Sequence, residues 1–312
     1  MPERRMAPVG VVAGFDGSVA AERAVARAAE EALRRRTRLA VVSVLPAATT
    51  EAAVLEGMLR DLVAQVRRRR PELVVTAHRV RGDPTVSPAG ALCELAERAV
   101  LLVVAARGRG RQTAPGILGS TSPQGLGTVS RALLGRAACP VLLVGTRQLP
   151  VPAQRRALVV AAVDDGAAGA AVLRAALDES YRRGARVRLL HAYDGTRGDG
   201  PARARGLVRE TTRAAGADAV GLATVVTPEG PAVALGRHAG DADLLVVAGG
   251  SAPRRPVVRS WATLAGSAVG GLPCDVLVVT PAAAVRLLPV QREQRSVSLL
   301  PARTPVPRAS VG

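Results

Sequence analysis

The chain has 312 residues, 48% of them apolar and 1% aromatic, and a formal charge of +18. That length suits two domains, each able to bury its own core. Phe15, Tyr181, Tyr193 and Trp261 are the only aromatic residues, so the cores must be built from Ala, Val and Leu. All 43 basic residues are arginine, which rules out chemistry that needs a lysine: a P-loop or a Schiff base to pyridoxal phosphate.

Arg34-Arg35-Arg36 and Arg67-Arg68-Arg69-Arg70 fall at the ends of expected helices and read as solvated cations complementing the helix dipole. With the arginine bias and no aromatic interleaving, the charge does not point to nucleic acid. Cys93, Cys139 and Cys274 form no CxxC pair and read as small buried residues in a reducing compartment. His78, His191 and His238 are widely separated and show no zinc spacing, and no GxSxG elbow occurs. Apolar runs such as residues 99–106 are too short to cross a bilayer, and no leader pattern opens the chain. A cytoplasmic protein that is not an enzyme is expected, with no membrane partner.

Short Val/Leu runs alternate with longer Ala/Arg/Glu stretches, the pattern of parallel strands joined by crossover helices. In chain order the first half predicts strands near 9–15, 38–45, 72–80, 100–105 and 140–145, with helices near 18–36, 50–70, 86–98 and 127–137. Residues 147–156, with Pro150 and Pro152, read as a linker between a domain at 1–146 and one at 157–281. The second half predicts strands near 157–163, 186–192, 219–226, 243–248 and 275–280, with fewer or shorter helices. From 282 to 312 the Pro, Arg, Gln and Ser content reads as a disordered basic tail.

The halves are a repeat. Val11-Val12-Ala13-Gly14-Phe15-Asp16 aligns with Val159-Val160-Ala161-Ala162-Val163-Asp164, and Cys139-Pro140-Val141-Leu142-Leu143-Val144 with Cys274-Asp275-Val276-Leu277-Val278-Val279.

Ligands of open α/β sheets bind beyond the carboxyl ends of the strands. Three segments of the first half meet there. Asp16-Gly17-Ser18 offers a carboxylate for a base or ribose donor and a helix cap, or merely orders its own turn. Arg107-Gly108-Arg109-Gly110-Arg111 lets backbone and forked donors approach a phosphate, although such runs also form solvated turns. Gly127-Thr128-Val129-Ser130 opens a helix whose amides could bind an anion, or is an ordinary cap.

Strand-Asp-Gly-Ser, a glycine loop, then Leu126-Gly127-Thr128-Val129-Ser130-Arg131-Ala132-Leu133-Leu134 before Cys139-Pro140-Val141 resembles the universal stress protein family over about residues 7–145, and again over 157–280. The resemblance implies two tandem open five-stranded parallel sheets of order 3-2-1-4-5 with helices on both faces, an adenine-nucleotide alpha-hydrolase-like fold. It also implies ATP, carried with or without Mg2+, with Asp16 and the backbone around Val44 at the adenosine end, and Gly108, Gly127, Thr128, Val129 and Ser130 at the phosphates. Members self-associate through the last strand, and in a tandem chain this pairing can join two chains or the two halves of one.

Two departures stand out. Ala105 occupies the first glycine position of the loop, and eighteen residues separate Gly108 from Gly127 where the family has nine. The extra residues, around 112–124, read as a flap and include the decoy pair Gly119-Ser120. The second half keeps Asp164 but reads Ala248-Gly249-Gly250-Ser251 and Trp261-Ala262-Thr263 where the phosphate segments belong, which suits architecture and no cofactor. Two functions remain: a nucleotide-binding stress or dormancy protein acting through its first half and an unknown protein partner, or a non-binding scaffold.

Overall fold

The computed structural model describes residues 10–45, 50–81, 87–108, 126–145, 157–164, 166–193, 195, 200–217, 222–249 and 274–287. The first half runs β1 (Gly10–Gly14), α1 (Val19–Arg34), β2 (Leu39–Leu45), α2 (Thr50–Arg69), β3 (Val75–Arg81), α3 (Pro88–Ala96), β4 (Ala99–Ala105), α4 (Thr128–Arg136) and β5 (Val141–Val144). The second runs β6 (Leu158–Ala162), α5 (Gly166–Arg183), β7 (Arg186–Ala192), α6 (Gly200–Ala214), β8 (Ala223–Thr227), α7 (Pro231–His238), β9 (Leu244–Ala248), β10 (Asp275–Val279) and α8 (Pro281–Leu287).

The strands form one ten-stranded sheet of order β3-β2-β1-β4-β5-β10-β9-β6-β7-β8. Each half has the expected 3-2-1-4-5 order. All pairs within a half are parallel, and the halves join by antiparallel pairing of β5 with β10, Leu142 opposite Leu277. The last-strand pairing is therefore satisfied inside one chain.

Strands buried on both faces need apolar residues at nearly every position, and β1, β4, β6 and β9 supply them in unbroken runs, while β10 does so after its first residue, Asp275. Helices α1, α2, α5, α6 and α8 cover one face; α3, α4 and α7 cover the other. Each apolar layer is continuous across both halves. Alanine lets the central helices lie close to the sheet: α1 buries Ala21, Ala24, Ala28, Ala29 and Ala32, and α5 buries Ala170, Ala171, Ala175 and Ala176.

Helix α5 is longer than α1, 18 residues against 16, whereas α6 and α7 are shorter than α2 and α3, 15 against 20 and 8 against 9. One expectation is corrected. The tail does not begin at 282, because Pro281–Leu287 form a helix that buries Ala283 and sends Arg286 to the Glu97 carbonyl at 3.2 Å. Residues 288–312 and the 147–156 linker lie outside the described residues.

The central helices carry a second correction. Arg35 is not a solvated helix end: its side chain is 9% exposed and pairs with Glu179 of α5, while Arg183 of α5 reaches back to Glu31 of α1 at 2.6 Å. Each acid also binds arginines of its own helix, Glu31 taking Arg34 at 2.7 Å and Arg35, Glu179 taking Arg182 at 3.1 Å and Arg183. The motif Glu-x-x-Arg-Arg occurs at 31–35 and at 179–183, 148 residues apart, so the contact is reciprocal, as twofold-related surfaces require. One pair breaks the symmetry. Arg27 Nε meets Asp275 Oδ2 at 2.8 Å, and Asp275 Oδ1 accepts from the Gly145 amide at 3.3 Å. The α5 equivalent of Arg27 is Ala175, and the β5 equivalent of Asp275 is Pro140.

Burial alone would raise the Glu31 carboxyl, but Arg183, Arg35, Arg27 and Arg34 outweigh it and hold it at about 2 against an ordinary 4.5. A depressed carboxylate contributes stability that is complete above its unfolded value and is lost as pH falls toward its folded one. Urea midpoints should therefore drop as pH is lowered from 4.5 toward 2, and Glu31→Gln should flatten that drop. At pH 7 Glu31→Ala should cost about 3–5 kcal/mol, because it leaves buried guanidinium groups without their partner; equal wild-type and variant midpoints would contradict this.

The thiols offer a second check. Burial pushes those of Cys139 and Cys274 up to about 12 and raises Cys93 as well. At pH 8 a disulfide reagent should leave Cys139 and Cys274 intact in the native chain and titrate all three cysteines once denaturant is added.

Candidate functional site

In a 3-2-1-4-5 sheet the order reverses between β1 and β4, so the loops after these strands diverge and leave a crevice at their carboxyl ends. Asp16 stands two residues beyond β1. Its Oδ1 accepts from the Ser18 amide at 3.0 Å and from Ser18 Oγ at 2.6 Å, and Ser18 Oγ in turn accepts from the Ala21 amide and caps α1. Asp16 thus orders its own turn through one oxygen. The other oxygen faces the loop from β4, where any Cβ on Gly108 would collide with Asp16 Oδ2. A side chain at 108 would have to displace the Asp16 carboxylate from this position.

Val44 lies near the end of β2 and is half-buried. The β1–β2 register pairs Val11 with Leu39 and Gly14 with Val42, and Phe15 still donates to the Val42 carbonyl at 2.8 Å. Continued by two residues, that register sets Asp16 beside Val44, so the two residues assigned to the adenosine end are neighbours.

Helix α4 completes the crevice. The Gly127 amide donates to the Ala106 carbonyl at 3.0 Å, and Ala106 donates to Val144 at 3.0 Å, which ties the helix start to the ends of β4 and β5. A Cβ on Gly127 would lie 3.6 Å from both Arg107 Cα and the Gly108 nitrogen. Gly127 is the N-cap and makes no side-chain cap hydrogen bond; the first helical bond is Arg131 to the Gly127 carbonyl. The amides of Thr128, Val129 and Ser130 consequently have no acceptor within the helix and give its start a partial positive charge.

Ser130 itself is only 4% exposed, and its hydroxyl donates to the Ala105 carbonyl at 2.8 Å. That hydroxyl pins α4 to β4, and only the Ser130 amide is placed to meet a phosphate. Thr128 is exposed at the helix start. The structure thus gathers Asp16, Val44, Gly108, Gly127, Thr128, Val129 and Ser130 at one sheet edge. The flap around 112–124, the Gly119-Ser120 pair and Arg109 to Arg111 lie outside the described residues.

In the second half the position after β9 is closed by packing. The Gly249 amide donates to Val279 at 2.6 Å, and a Cβ there would stand 2.8 Å from the Leu134 carbonyl of α4 and 2.9 Å from Val278 Cγ1. Thr280 Oγ1 donates to the Cys139 carbonyl at 3.4 Å, a further tie between halves. His191, 8% exposed, bonds through Nδ1 to the Val163 carbonyl at 2.9 Å and serves as a cross-strand link. Gly250, Ser251, Trp261, Ala262 and Thr263 lie outside the described residues. Among the described residues no group of three or more His, Cys, Asp or Glu could hold a metal, and no helix is long and apolar enough to cross a membrane.

Residues 10–145 match the model of the universal stress protein family. A universal stress protein of Mycobacterium tuberculosis is 34% identical over 198 residues, a match that spans 59% of this chain and 64% of the relative. A universal stress protein of Mycobacterium bovis is 29% identical over 197 residues, covering 59% of this chain and 64% of the relative. Among solved structures, a universal stress protein from Archaeoglobus fulgidus is similar over 88% of this chain and 98% of its own, with a TM-score of 0.60 at 14% identity. A protein of unknown function from Pseudomonas aeruginosa is similar over 90% of this chain and 96% of its own, at 0.55 and 18%. The family match of residues 10–145, the 3-2-1-4-5 strand order and the crevice at the β1/β4 reversal agree: the first half is a universal stress protein domain.

Proposed function

We propose that the first half binds one adenine nucleotide, ATP together with Mg2+, in the crevice between β1 and β4, and that this binding serves a stress or dormancy response. The observation that carries the reading is the uncapped start of α4. Three backbone amides point, without acceptors in the helix, toward a loop in which Gly108 is pressed against Asp16. An anion is the natural complement of such a helix start. Asp16 and the backbone at Val44 would hold the adenosine end, while Gly108, Gly127 and the amides of Thr128, Val129 and Ser130 would take the phosphates. Magnesium would ride on the phosphates, since it keeps most of its waters and needs few protein ligands.

The reading is one of binding without turnover. The second half is proposed as architecture, on the observation that the position after β9 is packed against the Leu134 carbonyl.

Isothermal titration tests this. One ATP should bind per chain, and Asp16→Ala should weaken it by about tenfold or more, the loss of a hydrogen bond to a charged group. Gly108→Val should abolish binding, and Asp164→Ala should leave it unchanged. No heat at millimolar ATP would overturn the proposal, and two equivalents per chain would overturn its restriction to the first half.

A further inference from the structure

The two outer edges of the sheet are finished differently. At β3 the edge is closed by arginine: Leu39 of β2 bonds to the Val74 carbonyl, so the Val75 carbonyl points outward, and Arg67 forks onto it at 3.1 and 2.6 Å. Arg79 of the same strand pairs with Glu56 of α2. Such charged dressing is how sheets avoid pairing at their edges.

At β8 the residues are Ala223-Thr224-Val225-Val226-Thr227, all uncharged and mostly β-branched. Tyr193 of β7 bonds to the Thr227 carbonyl at 3.0 Å, so Thr227 and, by alternation, Val225 face β7. The amides and carbonyls of Thr224 and Val226 face outward, where no further strand pairs among the described residues.

Above this edge stands α6. Its inward row is Ala204, Val208 and Thr211, and Thr211 faces α5, with its methyl carbon 3.6 Å from where a Cβ would stand on Gly169. On a helical wheel Thr211 lies about 60° to one side of Val208, and Arg209 about 100° to the other. Arg205, Arg209 and Arg213 therefore form a row on the flank turned away from α5, toward the open side of β8, and all three are exposed. Glu210 is the sole acid of this helix. Arginines four apart repeat every ~6 Å along a helix, close to the ~6.7 Å between alternate side chains of an extended strand.

We propose that this edge binds an extended acidic peptide segment of a partner protein, which adds a strand to β8 and places an acid at every second position beneath the arginine row. Backbone hydrogen bonds to Thr224 and Val226 would supply affinity, and the arginines would select sequence. A second copy of this chain is a poorer occupant, since it would bring two arginine rows together. A nucleic acid could match the charges but not the alternating donors and acceptors of the edge. The inference does not depend on nucleotide binding.

A fluorescent peptide of four Glu-Val repeats, titrated by anisotropy against the full chain, tests it. It should bind at least tenfold more tightly than four Lys-Val repeats, and its affinity should fall as salt rises. Val226→Pro, which removes an outward amide, should weaken binding at least tenfold, as should Arg205→Ala, Arg209→Ala and Arg213→Ala together. The arginine variant, altered only at exposed positions, decides the matter if the proline variant does not fold. Equal binding of the two peptides, or affinity unchanged in the folded variants, would overturn the proposal. So would displacement of the peptide by oligothymidine whose own binding ignores Val226→Pro, or self-association that the proline abolishes.

Discussion

The reciprocal contact of Glu31 with Arg183 and of Arg35 with Glu179 is the constraint on which the remaining architecture rests. Charges removed from water are costly unless paired, so helices α1 and α5 can bury their ends only against each other. Once they do, the last strands of the two halves lie edge to edge, and the antiparallel β5–β10 ladder follows with Leu142 against Leu277. A paired ion cluster contributes less to net stability than its strength in isolation suggests. Its effect here is to admit one relative placement of the halves, because any slip strands several guanidinium groups at once.

The crevice inherits that rigidity. Helix α4 is held at its start by Ser130 on the Ala105 carbonyl and by Gly127 on Ala106, and near its other end the Leu134 carbonyl lies against Gly249 of the second half. The start of the helix is thus fixed by the first half, and its far end is braced by the second.

Much of this was legible in the sequence, for identifiable reasons. Strands buried on both faces leave continuous Val and Leu runs, so β1, β4, β5, β9 and β10 announce themselves, and the repeat of Asp16 at Asp164 shows that the fold is doubled. Gly108 and Gly127 stand out in the sequence because glycines after β4 and at the start of α4 fall where the two loops meet. The role of Ser130 does not, since a hydroxyl at a helix start looks the same whether it meets a ligand or a strand carbonyl. Arg35 was misread for a related reason: taken one helix at a time, an arginine at a helix end is a solvated cation, and only the second Glu-x-x-Arg-Arg shows where it goes. That duplicated motif, 148 residues away, was the available signal. Helix α8 was missed because its seven residues sit at the start of a Pro- and Arg-rich stretch whose average composition hides them.

The Arg27–Asp275 pair has a consequence of a different kind. The contacts among Glu31, Arg35, Glu179 and Arg183 are duplicated, so by themselves they would let two first halves, from two chains, meet as readily as a first and a second half. In such a homotypic pairing each Arg27 would face Pro140 and keep only the acids of its own helix, Glu30 and Glu31; two second halves would bury Asp275 against Ala175, which offers no cation. The unsymmetrical pair therefore favours a first half meeting a second half over either meeting its own kind.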